Sequence, residues 1–270
     1  MSTSINSSIT TPTPWLAYHK PNARADVRLF CFPYAGSGAL IYRSWSNELP
    51  RIVEVCPVQP PGRGGRIMEP CYTNLSQLVE DVMRDLLPYL DMPFAFFGHS
   101  MGALVSFELA RRLRARHGLG PIHLFASGRA APQLPPREPP SYNLPEPEFI
   151  EKLRTLNGTP REVLEHPELM QLVAPIVRAD FEAIQTYVYT PDAPFDFPVT
   201  VFGGLQDYEI TREELEGWRE HAGGSFKLRM LPGDHFFLQS SQQLLLRTLT
   251  QELHQTIQAN RSPVPASTLN

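Results

Sequence analysis

The segment Phe94-Ala-Phe-Phe-Gly-His-Ser-Met-Gly102 sets the architecture that we expect for the whole chain. It begins as a short apolar run, which is typical of a strand buried on both faces, and it ends in the pattern Gly-x-Ser-x-Gly. An apolar pattern of helical period follows over residues 102–117. A strand, a sharp turn and a helix in this order present a serine hydroxyl at the edge of a sheet. Ser100 is therefore the candidate nucleophile.

The residues around Ser100 fit this geometry. Gly98 and Gly102 allow a tight turn in which a β-carbon would collide with neighbouring backbone. Met101 begins the predicted helix, so its amide has no acceptor within the helix and lies at the positive end of the helix dipole. We therefore predict that the Met101 amide donates a hydrogen bond to an oxyanion.

Short apolar runs alternate with longer segments of helical period along the chain. The candidate strands are residues 27–32, 52–58, 94–98, 122–127, 199–202 and 226–231, and the candidate helices are residues 75–90, 102–117, 211–221 and 241–258. Such alternation predicts a mostly parallel central sheet with helices on both faces. Together with the turn at Ser100, it indicates the α/β-hydrolase fold.

One long segment, at about residues 130–190, interrupts the alternation. Seven prolines lie within residues 132–147, which neither a helix interior nor a central strand would tolerate. Two helical patterns follow, at residues 146–157 and 167–189. We interpret the insertion as a helical lid over the site, the alternative being a merely structural excursion. Apolar positions of the second pattern are expected to line a channel to the site, or alternatively to pack onto the sheet: Leu172, Val173, Ile176, Phe181 and Ile184.

Composition limits the classes of function. The formal net charge of -4 over 270 residues argues against a nucleic-acid-binding surface, and no apolar stretch is long enough to span a membrane. Residues 14–259 are predicted to form one domain between two disordered tails, residues 1–13 and 260–270. The first tail lacks the features of a secretory signal. The chain is expected to be cytoplasmic and monomeric.

The three cysteines point to no metal or disulfide framework. Cys31, Cys56 and Cys71 lack metal-ligand spacing, and the first two lie in apolar runs, where buried thiols are expected. Free thiols are compatible with a reducing compartment. No metal and no cofactor are predicted.

Eight histidines compete for the role of general base. His235 lies in Leu231-Pro-Gly-Asp-His-Phe-Phe237, where a loop follows the last candidate strand, and the order serine, acid, histidine selects it. His99 is adjacent to Ser100 and is expected to pack locally. Of the remaining histidines, three lie in helices or at their ends, where we expect surface positions (His117, His221, His254). His19 and His166 lack a supporting motif, and His123 begins a candidate strand.

The acid should follow the penultimate strand, and Asp207 does so after Val201-Phe-Gly-Gly-Leu-Gln. Glu209 is a rival, whereas Asp234 neighbours the histidine too closely to reach round it. A second oxyanion donor should come from the loop after the first strand, Phe32-Pro-Tyr-Ala-Gly-Ser-Gly38, and the amide of Ala35 is our candidate.

From residue 15 to residue 249, the chain resembles the type II thioesterases that accompany nonribosomal peptide and polyketide synthases. The resemblance rests on the serine turn, on the first-strand loop and on three further segments: Gln59-Pro-Pro-Gly-Arg-Gly-Gly-Arg66, Arg178-Ala-Asp-Phe-Glu182 and Gly233-Asp-His-Phe-Phe237. The family often has His where Tyr34 stands and Gly where Asp234 stands. These two departures affect no residue of the predicted triad.

The resemblance implies removal of acyl groups from the phosphopantetheine thiol of acyl or peptidyl carrier proteins, with Ser100, Asp207 and His235 as triad. An acidic carrier protein could contact Arg63, Arg66 and the arginine-rich run at residues 111–116. That run has a simpler explanation, because positive charges near the carboxyl end of a helix are stabilised by the helix dipole and by solvent. The alternatives are a medium-chain fatty-acyl thioesterase, a carboxylesterase or acyltransferase on the same scaffold, and an inactive hydrolase used as a binding module.

Overall fold

A computed structural model of the protein describes residues 13–261. The predicted tails at residues 1–13 and 260–270 fall mainly outside this part of the chain, because residues 1–12 and 262–270 are not described. At the carboxyl end, the last helix continues to Arg261.

Within the described residues the strands form one parallel sheet. They are β1 (Val27–Phe32), β2 (Val53–Pro57), β3 (Phe94–His99), β4 (His123–Ser127), β5 (Val199–Gly204) and β6 (Phe226–Leu231). The strand order is β2-β1-β3-β4-β5-β6, and each neighbouring pair is parallel. This topology confirms the predicted sheet, with β3 near its centre.

Helices cover both faces of the sheet. They are α1 (Trp45–Glu48), α2 (Leu75–Leu86), α3 (Met101–His117), α4 (Glu146–Leu156), α5 (Arg161–Leu164), α6 (Pro167–Gln185), α7 (Arg212–Glu216), α8 (Phe237–Ser240) and α9 (Gln242–Arg261). Short 3₁₀ turns lie at Ala39–Tyr42, Gly64–Arg66, Leu87–Tyr89 and Gly217–His221. The helix predicted over residues 75–90 ends its α-helical part at Leu86 because Pro88 lacks an amide hydrogen and crowds the preceding turn.

The pleat of the strands divides the hydrophobic core into two layers. Phe30 and Phe32 of β1 belong to the layer that contains α2 and α3, whereas Leu29 and Cys31 belong to the layer that contains α9. Successive side chains of a strand point to opposite faces, so one apolar run serves both layers. This packing supports the sheet from both faces, and the carboxyl edge of the sheet carries the predicted site.

The insertion forms a small hydrophobic cluster of its own. After β4 the chain runs without regular structure through the proline-rich segment and then forms α4, α5 and α6 before it returns to β5. Phe149 and Leu153 of α4 pack against Met170, Ala174 and Val177 of α6. The two predicted helical patterns are therefore present, although the second ends at Gln185 and not at residue 189.

One surface prediction is wrong. His221 was expected at the surface because it ends a helical segment, but it is only 5% exposed. Its Nε2 lies 2.6 Å from Gln133 Oε1, and its ring packs against Phe107 and Trp218. The proline-rich segment covers this position, which a reading of the local helix could not show.

No helix among the described residues is long and apolar enough to cross a membrane.

Candidate active site

Ser100 lies at the turn between β3 and α3, in a backbone conformation that few residues adopt. Its φ is 51° and its ψ is -110°, which is a strained combination for a residue with a side chain. A β-carbon on Gly98 would lie 2.1 Å from the carbonyl oxygen of Gly102, and one on Gly102 would lie 2.0 Å from that of Phe32. Both glycines are therefore required for the close approach of strand and helix. The Ser100 amide donates to the Ser127 carbonyl (2.8 Å), which ties the turn to β4.

His235 and Asp207 come together from the ends of two neighbouring strands. His235 Nδ1 lies 2.8 Å from Asp207 Oδ2, and the two side chains are 7% and 1% exposed. Asp207 follows β5, and its Oδ1 accepts from the amides of Glu209 (2.9 Å) and Ile210 (3.2 Å). One carboxylate oxygen therefore anchors the loop while the other orients the imidazole.

The surroundings of His235 favour its charged form. Burial alone would lower the pKa of His235, but the hydrogen bond to Asp207 and the negative charges of Glu209 and Asp207 raise it above its usual value of 6.5. An imidazole with this environment can accept a proton and be stabilised as the imidazolium. This is the electrostatic requirement for a general base beside a serine.

The two rival acids occupy other positions. The carboxyl group of Glu209 lines the cavity in front of Ser100, and burial raises its pKa. Asp234 caps the following turn, with Oδ1 accepting from the Phe236 amide (2.9 Å) and Oδ2 accepting from Asn157 Nδ2 (3.3 Å). Neither carboxylate is hydrogen-bonded to His235 in the described part of the chain.

His99 is fully buried behind the turn, as its expected local packing requires. Its Nδ1 lies 2.9 Å from Ser127 Oγ, and its ring centroid lies 5.2 Å from that of His235. Burial, and then the nearby charge of His235, lower the pKa of His99 well below its usual value. A neutral His99 can support the turn without competing for the serine proton.

Of the two predicted oxyanion donors, Met101 adjoins Ser100 in the chain, and Ala35 lines the same cavity as Ser100. Met101 is the first residue of α3, and Ala35 lies in the loop after β1. Ala35, Ser100 and His235 all line one cavity of about 220 Å³. The next residue, Gly36, has a φ of 79° and also lines the cavity.

The cavity lies between the sheet edge and the insertion, and its wall is mainly apolar. The side chains from the insertion include Leu153, Leu156, Pro160, Val163, Val173, Val177 and Phe181. Of the residues predicted to line a channel to the site, Val173 and Phe181 line this cavity. Leu172 does not, since it is 62% exposed, and Ile176 and Ile184 are buried away from the cavity.

Val177 was missed, although the sequence carried a signal for it. Positions 173, 177 and 181 are separated by four residues each and therefore share one face of a helix. If the lining residues are chosen by their helical spacing, and not by hydrophobicity alone, Val177 is included and Leu172 is excluded.

Comparison with known proteins agrees with this geometry. Residues 27–253 match the family model described as "Thioesterase domain". The chain belongs to the thioesterase family. It is 50% identical to "Linear gramicidin dehydrogenase LgrE" of Brevibacillus parabrevis over 90% of this chain and 93% of that protein. The name of that relative describes an oxidoreductase, whereas the family is one of thioesterases.

Two solved thioesterase structures share the whole fold. One is the RedJ thioesterase from the prodiginine pathway of Streptomyces coelicolor, with a TM-score of 0.81, 38% identity, and coverage of 91% of this chain and 98% of that one. The other is the type II thioesterase BorB from the borrelidin biosynthetic cluster, with a TM-score of 0.81, 32% identity, and coverage of 88% and 97%. These likenesses confirm the α/β-hydrolase fold and the resemblance to type II thioesterases.

The arginines that we considered for carrier-protein binding are internally paired in this thioesterase. Arg63 is only 6% exposed and forms an ion pair with Asp180, so it cannot offer its charge to a partner. Arg66 pairs with Glu69 and stacks on Trp15, with the guanidinium 4.4 Å from the ring centroid. The arginines of the α3 run are likewise paired, with Glu108, Glu80 and Asp192.

Three potential metal ligands meet at the amino-terminal side of this thioesterase's sheet, away from the cavity. They are His19, Glu54 and Cys56. However, Glu54 Oε1 already accepts from His19 Nε2 (2.9 Å) and from Arg28 Nε (2.8 Å), and these partners lower the Glu54 pKa to about 2 despite its burial. A guanidinium beside the carboxylate repels a cation, so an ion-pair network explains this cluster better than a metal site.

Proposed function

We propose that this thioesterase hydrolyses acyl groups from the phosphopantetheine thiol of acyl or peptidyl carrier proteins, with Ser100 as nucleophile. One observation carries the proposal. The strained serine turn and the His235–Asp207 pair open into one apolar cavity, in a chain of the thioesterase family. An apolar cavity suits an acyl chain, and a serine with a paired histidine suits acyl transfer.

In the first half of the reaction, Ser100 Oγ attacks the thioester carbonyl while His235 accepts its proton. Asp207 holds the imidazole in position and stabilises its positive charge. The amides of Met101 and Ala35 receive the developing oxyanion. The tetrahedral intermediate then collapses, the C–S bond breaks and His235 returns a proton to the sulfur. The thiol leaves readily because its pKa is about 8.5 by analogy with cysteine.

In the second half, water enters and His235 removes its proton. The resulting hydroxide attacks the ester carbon. The C–Oγ bond of the second tetrahedral intermediate then breaks, His235 returns the proton to Ser100 Oγ, and the free acid leaves. These steps need no metal and no cofactor, since every proton moves between Ser100, His235, the leaving thiol and water.

We also propose the domain organisation, the oligomeric state and the location of the enzyme. Residues 14–259 act as one monomeric domain in the cytoplasm, and the insertion at about residues 130–190 acts as a lid over the acyl chain. The free cysteines among the described residues support the cytoplasmic location, because free thiols fit a reducing compartment.

The decisive experiment measures hydrolysis across a panel of acyl groups loaded on carrier proteins, beside matched oxygen esters and free acyl-pantetheine. We expect the highest kcat/KM on carrier-bound thioesters. Preference for small oxygen esters would favour a carboxylesterase, and preference for medium-chain fatty acyl groups would favour the fatty-acyl variant. Consumption of NADPH without release of free acid would contradict the proposal.

The pH profile of hydrolysis tests the electrostatics of His235. Because the base must be neutral to accept the serine proton, a raised pKa moves the acid limb of kcat/KM to higher pH. We therefore expect activity to fall below a midpoint that lies above 6.5. Glu209→Gln should move this midpoint to lower pH, because the carboxylate of Glu209 no longer stabilises the imidazolium. An unchanged midpoint in Glu209→Gln would show that this charge does not reach the base.

Acyl selectivity tests the role of the insertion. Phe181 lines the cavity, so Phe181→Ala should shift the ranking of acyl lengths toward longer chains, by about 1–3 kcal/mol for a methylene-scale contact. Ile184→Ala is the matched control, because Ile184 lies one helical turn further along α6 in the main core and not in the cavity. The measurement is the acyl-length profile of both variants beside their melting temperatures. Equal profiles with equal losses of stability would mean that Phe181 serves only as core.

A further inference from the structure

The lid helix α6 carries a buried carboxylate that reaches the loop of the predicted second oxyanion donor. Asp180 Oδ2 accepts from the Gly36 amide at 2.7 Å, and Gly36 directly follows Ala35. Asp180 itself is only 4% exposed. The two hydrogen-bonded residues are separated by 144 positions in the chain. This contact is therefore a purely tertiary link between the insertion and the oxyanion loop, which we define as residues 34–38.

Arg63 fixes the same carboxylate from the other side. Its Nη2 donates to Asp180 Oδ1 at 2.8 Å, and its Nη1 donates to Asp180 Oδ2. Nη1 also donates to the Ser37 carbonyl (3.2 Å), and Nε donates to the Pro61 carbonyl (3.1 Å). The two-point pairing of a guanidinium with a carboxylate fixes orientation as well as distance. Asp180 and Arg63 together hold both ends of the Gly36–Ser37 segment.

Steric contact makes the fit of α6 on this loop tight. Gly36 has a φ of 79°, and a β-carbon there would lie 2.7 Å from Val177 Cγ2. Val177 lies one helical turn before Asp180, so the same face of α6 supplies the steric contact and the hydrogen bond. The loop position next to Ala35 is therefore defined by α6 and by Arg63.

Because Arg63 and Asp180 are both buried, neither member of the ion pair can be removed without a large cost in free energy. Burial alone would lower the pKa of Arg63, but the charge and hydrogen bond of Asp180 outweigh it and raise the pKa. Removing one member of such a pair leaves a buried charge without compensation, which is strongly unfavourable. Water therefore cannot take the place of the Asp180 carboxylate beside Gly36 and Arg63 without a cost in free energy.

We propose that Asp180, held by Arg63, is a positioning residue for the oxyanion loop, so that the Ala35 amide is aimed at the oxyanion only while α6 is packed against Gly36. The inference rests on the proposed function and goes beyond it. It makes docking of the insertion a condition for stabilising the transition state, and not only for binding the acyl chain. Asp180 acts through Gly36 and does not touch the reacting atoms.

The test compares two ligands that differ in their need for the oxyanion donors. An acyl trifluoromethyl ketone attached to pantetheine forms a charged tetrahedral adduct with Ser100, whereas the corresponding acyl amide of aminopantetheine binds without such an adduct. In Asp180→Ala we expect the affinity for the ketone and the kcat for acyl-pantetheine each to fall on the order of 10²-fold, the effect of losing one oxyanion donor. The affinity for the amide should change less than about threefold. Asp180→Asn should give a smaller loss, since the amide oxygen can still accept from Gly36.

The control is Glu252→Ala, which breaks a buried ion pair far from the cavity. Glu252 is 3% exposed and accepts from Arg229 Nη2 at 2.8 Å. We expect a lower melting temperature in Glu252→Ala as in Asp180→Ala, but unchanged ratios of ketone to amide affinity when both are measured well below their melting temperatures. Arg63→Gln should reproduce the loss of Asp180→Asn, and the double variant should add little, because both changes remove the same link.

Three outcomes would overturn the proposal. These are equal losses for ketone and amide in Asp180→Ala, no loss for the ketone, or a loss of the same size in Glu252→Ala. Failure of the proposed function would look different, because the wild-type enzyme would then neither hydrolyse acyl-pantetheine nor form the ketone adduct at Ser100. The wild-type measurement therefore separates the two cases.

Discussion

Ser100→Ala is expected to lower the rate of thioester hydrolysis by at least ~10³, and His235→Ala by a similar amount. The alanine variant at position 100 has no group that can form an acyl-enzyme, and the variant at 235 has no base to activate the serine. Because these residues act as one unit, the double variant should be little slower than either single variant. Steady-state rates on an acyl carrier protein, beside melting temperatures and circular dichroism, measure the effect on an intact fold.

Covalent labelling provides an independent check of the same prediction. An active-site phosphonate or a sulfonyl fluoride should add once, and peptide mass spectrometry should locate it at Ser100. The Ser100→Ala variant serves as the negative control. A label on another residue, or full activity in Ser100→Ala, would contradict the serine mechanism.

Asp207→Asn is expected to lower the rate of hydrolysis by up to ~10⁴. This is a large effect for a substitution that only replaces a carboxylate oxygen with an NH₂ group. The carboxylate accepts from His235 Nδ1 at 2.8 Å and so selects the tautomer whose Nε2 can accept a proton. An asparagine can present its NH₂ group to Nδ1, which favours the wrong tautomer. The measurement is kcat and kcat/KM across the pH range, so that a shifted ionisation is not mistaken for a lost base.

Glu209→Gln is the matched comparison for Asp207→Asn. Glu209 is also acidic and lines the cavity in front of Ser100, but it has no hydrogen bond to His235 among the described residues. We expect a modest change in rate and the shift in pH profile described above. Retained activity in Asp207→Asn together with loss in Glu209→Gln would transfer the acid role to Glu209.

The fold and the positions of the triad candidates could be predicted largely from local patterns. The bounds of β1 and β6 match the predicted strands residue for residue. The turn at Ser100 could be predicted because its geometry depends on glycines within two positions of the serine. The strand–helix alternation indicated parallel strands, and the carboxyl ends of parallel strands meet at one edge. That edge holds Asp207 and His235 because each directly follows its strand.

The cavity wall was predicted only in part. Val173 and Phe181 line it, but Leu172 is exposed and Ile184 belongs to the main core. Hydrophobicity identifies residues that avoid water, but the rotation of α6 about its axis decides which of them faces the sheet, the cavity or the solvent. That rotation is set by the packing of α6 against α4 and the loop at Gly36.

Short-range patterning alone thus sufficed for the parallel sheet, for the serine turn and for the choice of Ser100, Asp207 and His235 as triad candidates. The tertiary structure was needed for the role of Arg63, which the sequence suggested as a carrier-protein contact and which instead forms a buried ion pair with Asp180, 117 positions away. The physical reason is the range of the interactions. Turn geometry and strand periodicity depend on neighbouring residues, whereas an ion pair and a cavity wall depend on how distant segments are placed, and no local pattern encodes that placement.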